Sequence, residues 1–294
     1  QVCIDESRVG SVVAQGRSAE IKHGSCVTGS VIANHHVSVS ASDVDGAVRA
    51  HNYGVRIRER STVGAVTAST HAEVLSSQVL GSVESQYSNA VVKNAIVQGA
   101  VKAARGAVIE SSTVKGDVAS NGVRAIVRSS QCGNVSSEGI PQLLESELES
   151  LTVYVDPRRP ILIDLGGSTL RGRLVVRKSL VESKPLQARS YGCYELHSDI
   201  DSSSGMIQGA AFRCGRDSFE VSGSVNEEIM RQIKGYCDDR TVGLVNDVPM
   251  QYVDGELTVY DPSAAKVVVV AGAILGGIDC DFTTDIDSSQ AAIS

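Results

Sequence analysis

Large aromatic side chains are nearly absent from this chain. Tryptophan does not occur, phenylalanine occurs three times, and aromatic residues make up 4% of the 294 positions. A globular enzyme of this size normally uses such side chains for much of the buried area of an irregular core. Their scarcity, together with abundant valine, serine and alanine, favours a narrow and regular core.

Excess positive charge and long apolar runs are also missing. The formal net charge is -7, and the lysines and arginines are scattered along the chain, so nucleic acid is excluded as an expected partner. The longest apolar stretch, Val267 to Ile278, is interrupted by glycines and shorter than the roughly 18 to 20 residues that span a bilayer. We therefore expect no membrane span.

The seven cysteines form no CxxC pair, which argues against zinc ribbons and thioredoxin-like redox sites. The simplest interpretation is that they are small buried thiols. The chain begins with Gln1 rather than Met, which is compatible with removal of a signal peptide. We expect an extracellular or cell-surface location, with a cytoplasmic cytoskeletal location as the alternative; after export an odd cysteine count would leave a thiol free to link subunits.

An internal repeat dominates the first half of the chain. A leading aliphatic residue is followed four positions later by a second one, usually with glycine between them, and the leaders at 9, 27, 44, 63, 79, 97 and 114 are 16 to 19 residues apart. Looser copies are Val9 with Val13 and Val63 with Val66. The predicted core ladder is Val27, Val31, Val44, Val48, Val63, Val79, Val83, Val97, Val101, Val114 and Val118, and the predicted corner glycines are Gly29, Gly46, Gly81, Gly99 and Gly116.

A second apolar cluster follows each leader by about ten to thirteen residues. In Val37 to Ser40 and Val55 to Arg58 it alternates with polar residues, which is typical of a strand with one buried face. Strand, tight corner and strand, repeated at this length, predict an all-β solenoid of about 17 to 18 residues per coil. An antiparallel sandwich has similar local chemistry, but it gives no reason for one motif to keep its register over seven copies.

The periodicity ends near residue 139, where we expect about seven coils to finish. Pro141 and four leucines at helical spacing predict a short amphipathic helix over residues 140–151 that caps or connects. Residues 152–294 are expected to form a second β-rich domain with one helix, Val225 to Lys234, opened by a capping box at Ser224 and Glu227. The motif returns there irregularly, at Leu170, Ile207, Val221, Val253 and Ile274.

A longer repeated sequence pattern suggests a duplicated β unit in the second half. Leu151 to Pro157 is followed by an apolar run from Ile161 and then by Gly172, while Leu257 to Pro262 is followed by an apolar run from Val267 and then by Gly276. Two strands that end alike at an Asp-Pro turn would give the same pattern.

The stretches SDVDGAVRA (42–50), AIVQGAVKA (95–103) and STVKGDVA (112–119) resemble the core repeat of bactofilins, bacterial polymer-forming cytoskeletal proteins. The resemblance covers roughly residues 9 to 135. It implies a right-handed β-helix of triangular section that polymerises end to end without nucleotide or metal, and it carries over ladder and corner residues but no catalytic residue. Bactofilins are usually little more than this core, whereas this chain continues well beyond it.

Candidate chemistry outside the repeat is sparse. His35 and His36 could act as bases in an acyltransferase solenoid, but such enzymes keep a strict six-residue rule that this chain breaks, so a surface pair is the simpler interpretation. Two acidic groups resemble parts of calcium sites. The first, Asp199, Asp201, Ser203 and Gly205, lacks glycine and glutamate at the required positions. The second, Asp279, Asp281, Asp285 and Asp287, has weaker geometry.

Neither a GxSxG nucleophile motif nor a GxxxxGK phosphate loop occurs. We therefore expect no enzyme, no cofactor and no metal, and a structural protein that assembles with copies of itself through the ends of the solenoid. The alternative is a glycan-binding or glycan-cleaving β-helix of the tail-spike or adhesin type, with tyrosines as sugar-stacking surfaces: Tyr53, Tyr87, Tyr191, Tyr194, Tyr252 and Tyr260.

Overall fold

The structure, a computed structural model, describes residues 1–155, 161–179, 267–282 and 284–293, and the backbone of six strands between residues 193 and 259. It is all-β, and a parallel β-solenoid of about 11 turns confirms the predicted fold class. Each coil contributes three short strands, which stack on their counterparts in the next coil to form three parallel faces, named A, B and C in the order in which the chain visits them.

Face A begins as a nine-stranded parallel sheet. Its later strands are Ile161–Asp164 and the leading parts of Val267–Ile274 and Ile286–Ile293, which pair with one another in that order. The nine strands are Val2–Asp5, Ala19–Lys22, Val37–Ser40, Val55–Arg58, Ala72–Leu75, Ala90–Lys93, Ala107–Glu110, Ile126–Arg128 and Gln142–Leu144.

Faces B and C follow each face A strand in turn, and in four coils one continuous strand serves both faces: Asp43–Ala50, Thr62–Ala68, Gln131–Glu138 and Glu147–Val155. The trailing parts of Val267–Ile274 and Ile286–Ile293 belong to face B. The separate face B strands are Arg8–Val9, Cys26–Val27, Gln78–Val79, Ile96–Val97, Thr113–Val114 and Thr169–Leu170. The separate face C strands are Val12–Ala14, Val31–Ala33, Val83–Ser85, Val101–Ala103, Val118–Ser120, Leu174–Lys178 and Ile278–Cys280.

The leading aliphatic residues stack into one unbroken column on face B. It runs from Val9 through Val27 and each later leader, and then through Cys132, Leu148 and Leu170 to Ile274 and Ile293. Every residue of the predicted ladder is at most 1% exposed. In the first coil, the prediction that Val13 accompanies the leader Val9 is wrong. Val12 points inward and pairs with Val31, while Val13 is 59% exposed.

The corner between faces B and C is built from stacked glycines. At Gly99, an added Cβ would lie 2.7 Å from the carbonyl carbon and oxygen of Gly81 one coil earlier, and Gly116 has the same relation to Gly99 at 2.7 and 2.8 Å. The backbones are hydrogen-bonded here, with Gly99 N donating to Gly81 O at 3.0 Å. The glycines are therefore required by the close approach of successive coils.

Buried serines form the corner between faces A and B. In Ser112 the hydroxyl donates to Glu110 O at 2.7 Å and accepts from Ala95 N of the previous coil at 3.1 Å. The residue before it, Ser111, has a left-handed φ of 48°. The serine satisfies polar backbone groups inside the corner, as buried polar groups require. The same position is occupied by Ser7, Ser25, Ser42, Ser61, Ser77, Ser130, Ser146 and Ser168 in other coils.

The helix expected at residues 140–151 is wrong. Gln142–Leu144 and Glu147–Val155 are strands that continue the parallel faces. Leu143, Leu148 and Leu151 fill the inward positions of faces A, B and C of one coil. Crossing a tight corner places successive inward residues three to five positions apart, which imitates helical spacing.

The solenoid also continues beyond residue 139, contrary to the expected boundary. It continues to residue 155, includes residues 161–179, and resumes at Val267, whose strand pairs in register with Ile161–Asp164. Gly276 N donates to Gly172 O at 3.0 Å, as in earlier coils. The apolar runs that begin at Ile161 and Val267 thus lie in consecutive coils. The segments before them are not equivalent, because Leu151 lies in a parallel strand and Leu257 in an antiparallel one.

Residues 180–266 are therefore an insertion within the solenoid rather than part of a domain that follows it. Its described strands form two antiparallel sheets, Cys193–Ile200 with Ile207–Cys214 and Asp217–Ser222, and Arg240–Val245 with Val248–Val253 and Glu256–Val259. The second sheet contacts the strand Ile161–Asp164. There Leu162, Val268 and Val270, which point outward from face A, are nonetheless buried. The helix expected at Val225 to Lys234 lies outside the described residues.

Candidate functional site: the two ends of the solenoid

The first coil of this chain presents open edges. Among the described residues, its strands Val2–Asp5, Arg8–Val9 and Val12–Ala14 each pair with the second coil alone. The inward side chains of Val2, Ile4 and Val9 are only partly buried, whereas Ile21 and Val27 one coil further in are fully buried. The first coil therefore exposes a cross-section of the hydrophobic core.

The last coil has the same character. Within the described part of the chain, Ile286–Ile293 pairs only with Val267–Ile274, and Ile278–Cys280 pairs only with Leu174–Lys178. Ile286 and Ile293 are 38% and 42% exposed, and Ile278, Cys280 and Phe282 are partly buried against the core. No helix covers either end in the part of the chain that the structure describes.

These edges can accept another strand. In a parallel pair, alternate residues direct their N–H and C=O groups to opposite sides. A strand with one neighbour consequently leaves a row of donors and acceptors without a strand partner, and such a row is a template for pairing with another chain. Here the row borders exposed core residues, so backbone pairing and apolar burial would occur together.

Charge differs between the two ends. Residues 267–293 contain Asp279, Asp281, Asp285 and Asp287 but no lysine or arginine. The Asp287 carboxylate accepts a hydrogen bond from Ser289 N at 3.0 Å, which lowers its pKa. The first 22 residues balance three carboxylates with three basic side chains: Asp5, Glu6 and Glu20 with Arg8, Arg17 and Lys22.

The corner between faces C and A carries the exposed aromatic residues. The rings of His35 and His36 pack against Tyr53 of the next coil, with centroids 5.2 and 4.8 Å apart. Tyr87, two coils further along, is 73% exposed. The imidazoles thus form a surface cluster with a phenol. The other four tyrosines of the expected glycan surface lie outside the residues whose side chains are described.

A shallow groove of about 320 Å³ runs along face B across four coils. Its most polar element is Glu147, which accepts hydrogen bonds from Arg171 at 2.6 and 3.0 Å and from Gln131 at 3.1 Å. Glu147 and its hydrogen bonds raise the pKa of Arg171. Cys132 also lines the groove, but burial raises the pKa of its thiol to about 12. A thiol with that pKa is protonated at neutral pH and is a poor nucleophile.

The second candidate acidic group, Asp279, Asp281, Asp285 and Asp287, is not assembled into a metal site among the described residues. No group of three His, Cys, Asp or Glu side chains that could hold a metal occurs there. Asp281 instead accepts a hydrogen bond from Lys178 N at 3.1 Å. Asp201, Ser203 and Gly205 of the other group lie outside the described residues.

Sequence reasoning did not single out the end residues Val2, Ile4, Ile286 and Ile293. No local signal marks them, because they are aliphatic residues like the other inward residues of the solenoid. The buried serine was also missed as a repeated position. Its signal is a serine two residues before most leaders, as in Ser112-Thr113-Val114 and Ser168-Thr169-Leu170.

No protein-family model, curated protein or solved structure matches this chain. In the part of the chain that the structure describes, no helix has the length and apolar character needed to cross a membrane.

Proposed function

We propose that this chain is a structural protein that assembles with copies of itself through the ends of its β-solenoid. The observation that supports the proposal is the pair of open edges: within the described residues, the strands of the first and last coils have one neighbour each and border partly exposed core residues. A second copy would satisfy both the unpaired backbone and the exposed apolar surface.

The driving force has two parts. Burying exposed apolar area contributes about 25 cal/mol per Å², and the side chains of Val2, Val9, Ile286 and Ile293 supply such area at the ends. Backbone pairing across the junction adds hydrogen bonds that contribute roughly 0.5 to 1.5 kcal/mol each. On faces B and C the strands of the interior coils already pair on both sides, so the open strand edges of these two faces lie at the first and last described coils.

A substitution at Gly10 tests the proposal without disturbing the coil. An added Cβ at Gly10 meets nothing within 4 Å, whereas the Cβ added at the equivalent Gly29 meets Gly10 O in the preceding coil at 2.6 Å. A side chain at Gly10 therefore projects towards the end surface. We expect wild-type protein to sediment as large assemblies at increasing concentration, and Gly10→Leu to remain a folded monomer.

The matched control is Gly16→Leu, since Gly16 lies at the corner between faces C and A of the same coil and also has open space around its Cβ. This variant should assemble like the wild type. Assemblies that form equally well with Gly10→Leu, or a wild type that stays monomeric, would contradict the proposal.

A second candidate function, glycan binding, is favoured by one observation. The corner between faces C and A presents Tyr53 beside His35 and His36, and an exposed Tyr87 two coils away. Stacked coils are about 4.8 Å apart, so the two phenol rings lie about 10 Å apart along the axis. Exposed rings in a row offer stacking surfaces for successive sugars.

Titration with oligosaccharides, followed by tyrosine fluorescence, checks this second function. We expect Tyr87→Ala to weaken binding while leaving assembly unchanged. The exposed Val123 at the same corner provides the control substitution Val123→Ala, which should leave binding unchanged. Absence of any saturable binding by the wild type would remove this candidate.

A further inference from the structure

We propose that Cys193 and Cys214 form a disulfide bond that closes the first hairpin of the inserted segment. The observation that carries this inference is their register, because the two cysteines are direct partners in the antiparallel pair of Cys193–Ile200 with Ile207–Cys214. The bond is a covalent modification of the insertion and is independent of the proposed self-assembly.

The backbone places the two cysteines within bonding reach. Directly opposite residues of an antiparallel pair have Cα atoms about 4.5 or 5.5 Å apart, according to whether they exchange hydrogen bonds. A disulfide spans roughly 4.4 to 6.8 Å between Cα atoms. The bond can therefore form without moving either strand.

The cysteines of the solenoid have no such partner, since each is matched with a residue of another type in the neighbouring coil. Cys3 lies opposite Glu20, Cys26 opposite Arg8 and Asp43, Cys132 opposite Val114 and Leu148, and Cys280 opposite Val176. Among the described strands, Cys193 and Cys214 are thus the one pair of cysteines in register. Cys237 lies outside the described residues.

The more buried thiols of the solenoid also compete poorly for an oxidant. Burial raises the pKa of Cys132 to about 12, and burial likewise raises the pKa of Cys280. The thiolate is the form that attacks a disulfide. These two residues should therefore react slowly at neutral pH.

The place of the pair in the hairpin gives the bond a structural role. The pairing of the two strands is interrupted by two shifts of register, and the second strand has only small residues at Gly209, Ala210 and Ala211. Strands of this kind specify their register weakly. A bond between the first residue of one strand and the last residue of the other fixes the register at the end away from the turn.

The first hairpin also supports the rest of the insertion. Cys193–Ile200 contacts Arg240–Val245 of the second inserted sheet, and that sheet contacts Ile161–Asp164 of face A. Oxidation should therefore order the insertion against the solenoid. Reduction should loosen the hairpin while the coils remain folded.

The bond forms by two exchange steps with a small-molecule disulfide such as oxidised glutathione. The thiolate of one cysteine attacks a glutathione sulfur, which gives a mixed disulfide and releases one glutathione thiolate. The thiolate of the other cysteine then attacks the protein sulfur of the mixed disulfide and releases the second glutathione thiolate. The two released glutathiones take up the protons that the cysteines lost, so the protein pair is oxidised as the glutathione disulfide is reduced.

Peptide mapping of the whole chain tests the pairing. The protein is equilibrated with oxidised glutathione, its free thiols are blocked with iodoacetamide, and it is digested with trypsin without reduction. Cleavage after Arg189, Arg213 and Arg216 separates the two cysteines into peptides 190–213 and 214–216. We expect these peptides as one joined species, lighter than their sum by two hydrogen atoms, which separates on reduction.

Substitutions and native proteolysis provide the controls. Cys193→Ser and Cys214→Ser should each abolish the joined species, whereas Cys237→Ser, the matched control in the same insertion, should retain it. Brief proteolysis of the folded protein should cut within residues 193–214 about tenfold more slowly in the oxidised than in the reduced wild type. Cys214→Ser should show no such difference.

Two results of the mapping would overturn the proposal. One is alkylation of both Cys193 and Cys214 after oxidation, and the other is a bond from either of them to Cys237 or to a cysteine of the solenoid. Equal proteolysis of the oxidised and reduced wild type would overturn the role of the bond in fixing the hairpin.

Discussion

The corner between faces B and C and the corner between faces C and A meet very different demands. At the first, Gly81, Gly99 and Gly116 stack so closely that one added carbon would lie 2.7 to 2.8 Å from backbone atoms. At the second, added Cβ atoms at Gly54 and Gly122 would also lie 2.7 Å from carbonyl oxygens of adjacent coils, but the connection varies in length from residues 104–106 to residues 86–89 and accommodates the insertion of residues 180–266. The two corners therefore differ in how much their length varies.

The difference shows where a solenoid can change. Stability in such a fold comes from contacts between neighbouring coils, and at the glycine corner these contacts are made by the backbone itself. At the corner between faces C and A, side chains such as Tyr53 and Tyr87 are exposed. Residues can be added there without separating the coils, so new functional groups would be expected at that corner.

The largest effect should follow a substitution in the glycine column. Gly99→Ala places a Cβ 2.6 Å from Ser82 Oγ and 2.7 Å from the Gly81 backbone. Because backbone must shift to relieve the overlap, we expect a loss of more than about 3 kcal/mol in the free energy of unfolding. Chemical denaturation monitored by circular dichroism measures it.

Tyr87→Ala is the control at the other corner, since the Tyr87 side chain is 73% exposed. We expect a change within about 0.5 kcal/mol. Equal effects of the two substitutions would remove the distinction between the corners.

Removing the insertion should have a smaller effect. If Lys178 is joined to Val267 by four residues, matching the connection 86–89, the parallel register of Ile161–Asp164 with Val267–Val270 should persist. We expect a cooperative unfolding transition at a modestly lower temperature. Loss of the β-sheet signal in circular dichroism would show that the insertion is needed for the fold.

The deletion should also expose the outward cluster of Leu162, Val268 and Val270, which is buried in the full chain. Increased binding of an apolar dye is therefore expected, and adding Val268→Thr and Val270→Thr to the shortened chain should reduce it. Unchanged dye binding on deletion would mean that the inserted strands do not cover this surface.

The serine corner should show intermediate sensitivity. Ser112→Ala leaves Ala95 N without its hydroxyl acceptor, at a cost of about 1 to 2 kcal/mol. Ala95 occupies the serine position of its own coil, so Ala95→Ser should stabilise the protein by up to about 1 kcal/mol through hydrogen bonds like those of Ser112. Thermal unfolding of both variants provides the comparison, and destabilisation by Ala95→Ser would contradict this account of the corner.

The smallest effect is a contrast in thiol reactivity. Burial raises the pKa of Cys132, beside the glycine corner, from 9.0 to about 12. Since this pKa lies above that of the unfolded thiol, the associated stability is present below pH 9 and is lost as the pH rises towards 12. Alkylation at pH 8, mapped by mass spectrometry, should leave Cys132 unmodified and label Tyr87→Cys, at the exposed corner, rapidly; fast labelling of native Cys132 would show that it is not buried.

Sequence alone predicted the solenoid because a coil must return the same residue type to the same place. The leaders from Val9 to Val114 recur with little variation, and the close approach at the corner favours glycine there, although Glu149 occupies this position in one coil. The motif at Leu170 and at Ile274 also marks real coils. The matching motif at Ile207 lies in an antiparallel strand instead.

Two features could not be predicted by the same reasoning. The insertion separates two neighbouring coils by residues 180–266, so a period counted along the chain fails although the coils remain adjacent in space. Leu143, Leu148 and Leu151 mimic a helix because inward residues on successive faces are separated by short corners. The serine two positions before most leaders would have distinguished a coil from a helix, since Ser146 and Ser168 occupy that position.

The central claim is that the ends of this solenoid continue one another, and electron microscopy with diffraction from aligned material tests it most directly. We predict thin filaments whose diffraction shows a spacing of about 4.8 Å along the filament axis, because strands lie perpendicular to the axis both within each copy and across each junction. Discrete single particles at high protein concentration, or filaments in which that spacing lies across the axis, would contradict the account.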